Sequence, residues 1–253
     1  MTLTALPDIP KIKQRDDLAA IVLASLKTAG IELQDGDVLV LAQKIVSKAE
    51  GRLVHLPSVK PSTEAEALAE ETEKDARLVE LILQESREIL RKRPGLIVVE
   101  HKLGFVCANA GIDHSNAQAS IEEADDWVLL LPQNPDASAQ KIREKIETAT
   151  GAGIGVLVID SHGRAWRLGT VGFVIGIAGV PGLVDLRGQP DLFGYELRVT
   201  EVGAADELAA AASLVMGQAA EGLPAVHARG FPYQLREASL DELLRPKETD
   251  MFR

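Results

Sequence analysis

The sequence predicts an α+β protein built on a mixed sheet. Strand-length apolar runs and amphipathic helical stretches are interspersed along all 253 residues. One pair of runs, in LIVVEHKLGFVCAN, reads as a hairpin, and no regular strand–helix–strand rhythm of a doubly wound sheet is present.

Taken in order, Asp16 or Asp17 can cap a helix over LAAIVLASLKTAG, with Gly30 as its stop. Residues 37–56, DVLVLAQKIVSKAEGRLVHL, read as a strand, a polar loop and a second strand. Thr63 and Glu66 have capping-box spacing for a long acidic helix reaching about Arg91, ahead of Pro94-Gly95. Leu78, Leu81, Ile82, Glu85 and Ile89 form its buried stripe. The hairpin turns at His101-Lys102, and WVLLL (127–131) is a short buried strand. A helix is expected over about 136–150, then a strand GIGVLVID (153–160) that ends in an acid. YELRVTEV (195–202) alternates as a strand, AADELAAAASLVMGQAA (204–220) is a helix of small residues, and PAVHARG is a last strand. Ser239 with Glu242 caps a final helix. The Gly/Pro-rich centre is the one shift in composition, so a single domain over 1–253 is expected, its two lobes dividing near 165–190.

Composition narrows the function classes. Only 4% of residues are aromatic and the net charge is −11, which disfavours a nucleic-acid partner: stacking platforms and a basic face are both lacking. The longest apolar run, VGFVIGIAGVPGLV, is short and cut by Pro181, so no membrane span is expected. Cys107 is the only cysteine, which excludes an intrachain disulfide and a thiolate zinc cluster. The first twenty residues carry Pro7, Pro10 and several charges without an apolar signal core, and a cytoplasmic protein is expected.

No P-loop pattern, HExxH or GxSxG occurs. GAGIG (151–155) precedes a strand, where a dinucleotide fingerprint must follow one, so it reads as a helix stop and turn. Asp113 follows the run GFVCAN, and Asp160 ends VLVID. Carboxylates at strand ends, with Ser161 and Asn116 near them in sequence, suit Mg²⁺ or Mn²⁺; the bland alternative is a pair of polar turns. Lys44, Ser47, Lys48 and Arg52 could grip phosphate, or could simply guard a solvated edge strand. Gln218 and Glu221 stand at a helix C-terminus between glycines, either near a cation or as a plain cap. Arg164 and Arg167 flank Trp166 and could hold an anionic substrate or cover the ring; Arg229 is equally open.

Together and in order, GDVLVLAQKIVSKAEG, CANAGIDHSN, LLLPQNPDASA, VLVIDSHGRAWRLGTVGFVIGIAG, DLFGYELRVTEVGAADELAAAASLVMGQ and PAVHARG resemble one family, the coenzyme F420-0:L-glutamate ligases. The resemblance covers most of the chain. It implies a two-lobed α+β ligase fold, a homodimer, and attachment of L-glutamate to the carboxylate of coenzyme F420-0, with further γ-linked glutamates in many members. It implies GTP as co-substrate, an acyl-phosphate intermediate, release of GDP and phosphate, Mg²⁺ or Mn²⁺, and K⁺ as a further cation.

Carried over by position, the resemblance makes Asp113 and Asp160 metal-binding catalytic aspartates, with Ser161 as a metal ligand where many members have Thr. It puts Gln218 at a second metal position where some members have Glu. Lys48 becomes a catalytic phosphate contact, and Gln43, Lys44, Lys48 and Asn116 become nucleotide contacts. Ile9, Pro10, Lys11 and Ile12 match an apolar segment against the nucleotide, with Lys11 replacing an apolar residue. Met216, Gly217, Gln218, Ala219, Ala220, Glu221, Gly222 and Leu223 match the loop that wraps it. His114 and Ser115 fall back to turn residues. The nitroreductase-like domain fused at the C-terminus of some bacterial members is not expected. Two other readings stand beside this one: the same ligation on a different carboxylate acceptor, and an inactive GTP-binding regulatory module.

Overall fold

The computed structural model describes residues 1–115, 117 and 126–252. Strand β1 (Thr2–Ala5) leads to helix α1 (Leu18–Thr28), strand β2 (Val38–Ala42), helix α2 (Gln43–Ala49) and strand β3 (Leu53–His55). Helices α3 (Thr63–Thr72) and α4 (Ala76–Glu85) precede strands β4 (Ser86–Arg93), β5 (Leu96–His101) and β6 (Val106–Ala108). Strand β7 (Trp127–Leu129), helix α5 (Pro135–Thr150) and the long strands β8 (Gly155–Arg164) and β9 (Arg167–Ala178) follow. Short strands β10 (Val184–Asp185) and β11 (Glu201–Val202), helix α6 (Ala204–Met216) and strand β12 (Ala225–Arg229) complete the order.

The main sheet has the order β1-β12-β2-β8-β9. Only β2 and β8 run parallel, and the other neighbours are antiparallel, so the expected α+β class with a mixed sheet is what forms. Its two central strands are apolar on both faces. Leu39, Leu41, Val156 and Val158 enter a core under α1, α2 and α5, while Val38, Val40, Leu157 and Ile159 enter a core under α6. Burial on both sides explains why VLVLA and VLVI read as continuous apolar runs without alternation. Each large side chain removed from water there contributes roughly 1.5–3 kcal/mol.

The helices approach this sheet closely because two residues of β9 have no side chain. A Cβ on Gly172 would lie 2.6 Å from the Ala209 carbonyl oxygen of α6, and one on Gly176 would lie 2.5 Å from Pro135 of α5. A second assembly has its own core: α3 and α4 pack Ala65, Leu68, Val79 and Ile82 against Ile97 and Val99 of the β4-β5-β6 sheet.

Several local expectations are met. Asp17 caps α1 through bonds from the Ala19 and Ala20 N–H groups, Gly151 ends α5 at φ 77°, and the 96–108 hairpin is antiparallel.

Four are corrected. Residues 43–49 form a helix, not a polar loop, because Ile45 and Val46 are buried and anchor a full turn against the sheet. The long acidic helix is two helices followed by a strand. Ser62, not Thr63, caps α3, Glu73 ends it at φ 53°, and SREILRKR pairs with β5 as β4. There the ladder to β5 overrides the helix propensity of Glu, Leu, Arg and Lys. The strand expected over 195–202 is reduced to Glu201–Val202 plus a bridge from Glu196 to Pro190. The helix after Ser239 is a single 3₁₀ turn at Leu240–Glu242, and α6 stops at Met216. Among the described residues no helix is long and apolar enough to cross a membrane.

Candidate functional site

The site forms where the one parallel ladder ends. Ala42 of β2 pairs with Ile159 of β8 at the end of this ladder. Gln43 then opens α2, whereas β8 runs on to Arg164, so Asp160 lies within the strand and does not end it as the sequence suggested. Crevices at such strand ends are where open α/β sheets hold their ligands. Gln43 begins α2, whose turn sets Gln43 against Ser47 and Lys44 one turn from Lys48. Ser47 is fully buried and donates to Gln43 Oε1 at 2.8 Å, which aims the Gln43 amide so that its Nε2 donates to Asp113 Oδ2 at 3.0 Å.

Asp113 reaches this point through an unusual backbone. Asn109, Ala110 and Gly111 have φ of 49°, 54° and 64°, three left-handed residues in succession. For alanine that conformation costs about 1–2 kcal/mol. It is held by the wholly buried Ala110 and by Asn109 Oδ1, which accepts from the Ile97 N–H at 3.1 Å. Asp113 is then fixed by two bonds: its N–H donates to the Leu129 carbonyl at 3.0 Å and its carbonyl accepts from the Leu129 N–H at 2.8 Å.

Asp160 is supported from behind. His162, two residues on and on the same side of β8, places Nε2 2.9 Å from Asp160 Oδ2. Its ring is packed against Phe105 at 5.2 Å and Phe173 at 6.2 Å between centroids. Ser161 points the other way and donates to Gln218 Oε1 at 2.8 Å, while Gln218 Nε2 donates to Ser213 Oγ at 2.8 Å. The amide thus ties the segment after α6 to both β8 and α6. Within that segment Glu221 Oε2 accepts from the Ala219 N–H at 2.8 Å.

These groups line one cleft of about 1160 Å³. It collects residues 9–12, Gln43, Lys44 and Lys48, Asp113, Asp160 and Ser161, and the whole of 216–223. Asn116 lies outside the described residues. Ser47 is buried behind Gln43, and Arg52 is held by Glu85 at 2.6 Å and by the Leu131 carbonyl, so neither offers its polar group to a phosphate. Arg229 is committed to Asp37 through two bonds of 2.9 and 2.7 Å. Arg164 and Arg167 bracket the β8–β9 turn, and the ring contact of Trp166 is with Phe252, 6.2 Å away.

The electrostatics suit an anionic ligand accompanied by a cation. Burial pushes the Asp113 carboxyl up; Lys44 works against this, and the charge of Asp160 adds to the rise. Burial also acts to raise Asp160, but the bonds from His162 and the Ser161 N–H outweigh it and hold the carboxyl below its usual range. Lys44 Nζ lies 3.3 Å from Asp113 Oδ2 and donates to Ser115 Oγ at 2.7 Å. Burial, then the charges of Lys44 and Lys11, lowers the Lys48 ammonium, and all three lysines line the cleft with the two carboxylates. Burial and Asp160 push the Cys107 thiol up to about 12, which makes it inert as a nucleophile.

Among the described residues no three His, Cys, Asp or Glu side chains converge as an all-protein metal cage. The mutually repelling Asp113 and Asp160 nevertheless fit Mg²⁺ or Mn²⁺, which bind through one or two carboxylates plus substrate phosphates, while the Ser161 hydroxyl lines the same cleft but is bonded to Gln218.

A model of the F420-0:Gamma-glutamyl ligase family matches residues 8–230, a span that includes every segment of the cleft. The chain belongs to that family. A coenzyme F420:L-glutamate ligase of Methanothermobacter thermautotrophicus is 47% identical over 255 residues, covering 100% of this chain and 99% of the relative. The proteins of the same name from Methanocaldococcus jannaschii and Archaeoglobus fulgidus are 46% and 43% identical, covering 87% and 97% of this chain respectively, and 86% and 93% of the relatives.

Reading the sequence missed His162 as the partner of Asp160, although a D-x-H spacing on a strand places both side chains on one face. It also missed Ser213, whose only sequence signal is a hydroxyl in the last turns of a helix otherwise rich in alanine.

Proposed function

We propose that this chain joins L-glutamate to the carboxylate of coenzyme F420-0, with GTP as phosphoryl donor. The observation that carries the reading is the cleft, lined by two carboxylates, three lysines and the 216–223 loop. The names of the full-length relatives support the acceptor and the amino acid.

In this reading the segments 9–12 and 216–223 enclose the nucleotide, and Lys44, Lys48 and Lys11 face its phosphates. Gln43 and the Leu129 bridge hold Asp113, and His162 holds Asp160, so both carboxylates are oriented before ligand arrives. A divalent cation bound by Asp113, Asp160 and Ser161 would neutralise phosphate charge as it develops. An oxygen of the acceptor carboxylate attacks the γ-phosphorus and GDP leaves, giving an acyl phosphate. The deprotonated glutamate amine then attacks the acyl carbon and phosphate departs. The chain's contribution is positioning and charge compensation, the usual share of the protein in phosphoryl transfer. Gln218, whose amide is already bonded to Ser161 and Ser213, acts mainly to hold the 216–223 loop.

The protein works as a homodimer in this reading, one domain over 1–253 with lobes parting near 165–190. The support is an arm after β10 in which Leu192, Phe193 and Val199 are 98%, 95% and 85% exposed, apolar surface that a second copy would cover. Light scattering of the purified protein tests this; a monomer at micromolar concentration contradicts it.

The function is tested by mixing the protein with GTP, Mn²⁺ and glutamate. Phosphate is released only when F420-0 is present. Release without F420-0, or on another carboxylate and not on F420-0, would reject the acceptor.

A further inference from the structure

The two carboxylates of the cleft belong to different parts of the fold. Asp160 lies on β8 of the main sheet, whereas Asp113 follows β6 of the β4-β5-β6 sheet, which has its own core. Among the described residues no ladder joins these two sheets, so the spacing of the acids depends on how one seats against the other. One side chain fills the seam. Phe105, immediately before β6, packs against the cores on both faces of the main sheet and against the core of the smaller one. Among the described partly buried hydrophobics only Phe105 does so. Its ring lies 5.3 Å from that of His101 in β5, nearly parallel at 7°, and 5.2 Å from that of His162, which holds Asp160. The residue that leads into the strand before Asp113 therefore also presses on the partner of Asp160.

The loop that carries Phe105 is clamped from outside. Gly104, at φ 99°, lies under Leu244, whose Cδ1 would be 2.6 Å from a Cβ at that position. Lys247 Nζ is 2.6 Å from Glu100 Oε2, a buried carboxylate of β5, and 3.3 Å from Glu88 of β4. The same segment is tied to the other side of the seam. Glu242 Oε2 accepts from the Gly182 and Leu183 N–H groups at 3.2 Å, and the Leu240 N–H donates to Asp136 of α5 at 3.1 Å. Residues 240–247 thus form a strap with one end on each side.

We propose that Phe105 is a positioning residue that sets the spacing of Asp113 and Asp160, and that the strap, through Leu244 and Lys247, keeps it seated. The assignment rests on the two acids sharing one divalent cation. A small hard cation such as Mg²⁺ takes its oxygens at about 2.0–2.1 Å in near-ideal octahedral geometry, so two carboxylates serve it only at a fixed separation. Close-packed interiors transmit displacement with little give. A shift of the ring in the seam therefore moves one acid against the other, although Phe105 itself touches no ligand.

The test is Mn²⁺ binding to the nucleotide-free protein, read by electron paramagnetic resonance, so that no turnover is needed. Asp113→Asn and Asp160→Asn calibrate the site, and each weakens binding. Phe105→Leu keeps apolar volume but loses the ring, and raises the Mn²⁺ dissociation constant by about 10-fold or more. Because that variant leaves a gap between three cores, Leu244→Ala and Lys247→Met are measured beside it. Each raises the constant by roughly three-fold or more, and Lys247→Arg restores it. Leu26→Ala, in the core under α1, lowers the melting temperature at least as much and leaves Mn²⁺ binding unchanged. Wild-type affinity in Phe105→Leu, or in both strap variants, overturns the assignment. So does an equal loss in Leu26→Ala, because the effect would then follow stability alone. Wild-type protein that binds no Mn²⁺, or Asp113→Asn that binds it normally, overturns the shared cation itself, a failure distinct from that of the seam.

Discussion

His162 Nε2 lies 2.9 Å from Asp160 Oδ2, and both side chains emerge from the same face of β8. The contact uses one carboxylate oxygen and leaves the other for the cleft. Supporting partners of this kind orient ligand carboxylates, and their loss typically costs about 10–100-fold in metal affinity. His162→Phe keeps a ring between Phe105 and Phe173 but removes the donor. Its Mn²⁺ dissociation constant, read by electron paramagnetic resonance without nucleotide, rises by about 10-fold or more, with the melting temperature little changed. Wild-type affinity in this variant would reduce His162 to packing.

Asp113 and Asp160 are expected to matter for turnover and not for folding. Asp113→Asn and Asp160→Asn each lower kcat by roughly 10²–10³-fold or more, the scale on which preorganised charge contributes to catalysis. Burial already opposes the charged form of Asp113. Its neutral replacement therefore leaves the melting temperature unchanged or higher. A variant with wild-type kcat would remove that aspartate from the mechanism.

How much of this was legible in the sequence follows from which signals were local. The acids that follow the apolar runs VCAN and VLVI stand out without any tertiary knowledge, and both line the cleft, although Asp160 lies within β8 and not at its end. Helix α2 was hidden because seven residues are too few to show a period, although Gln43–Ser47 and Lys44–Lys48 already had four-residue spacing. The break after Thr72 was hidden because SREILRKR has good helix formers, and only pairing with β5 makes it a strand. The reassignment of Ser47 and Arg52 away from the cleft depended on partners 4 and 33 residues distant, Gln43 and Glu85, and the second lies in another element.

Two buried groups set the acid limb of stability. Burial would raise the Asp37 carboxyl, but Arg229 and His227 outweigh it and hold it at about 2. Its folded pKa is depressed, so its contribution is complete above about pH 4 and is lost as pH falls towards 2. The loss is roughly 2 kcal/mol. Burial, with Arg52 next in size, holds His101 at about 4 against 6.5 in the unfolded chain. The unfolded state then binds more protons between those values, and stability falls as pH drops from about 6.5 to 4. Urea titrations across pH 7 to 2 detect both windows. Arg229→Gln flattens the lower window and His101→Phe the upper, and persistence of either slope would contradict its assigned source.

Gly172→Ala tests the close approach of α6. The added Cβ would meet the Ala209 carbonyl oxygen at 2.6 Å, a backbone atom that cannot move aside alone. Overpacking of this kind costs about 1–3 kcal/mol. The melting temperature falls by roughly 2–4 °C per kcal/mol. An unchanged melting temperature would mean that the helix stands further from β9.

The most direct test of the ligation chemistry follows an oxygen atom. F420-0 labelled with ¹⁸O in its reacting carboxylate is incubated with the protein, GTP, Mn²⁺ and glutamate, and both products are weighed by mass spectrometry. Acyl-phosphate chemistry in the Asp113–Asp160 cleft transfers one labelled oxygen to phosphate for each molecule of F420-0 that gains its first glutamate. Unlabelled phosphate accompanying that product, or phosphate without any glutamylated product, would contradict the account.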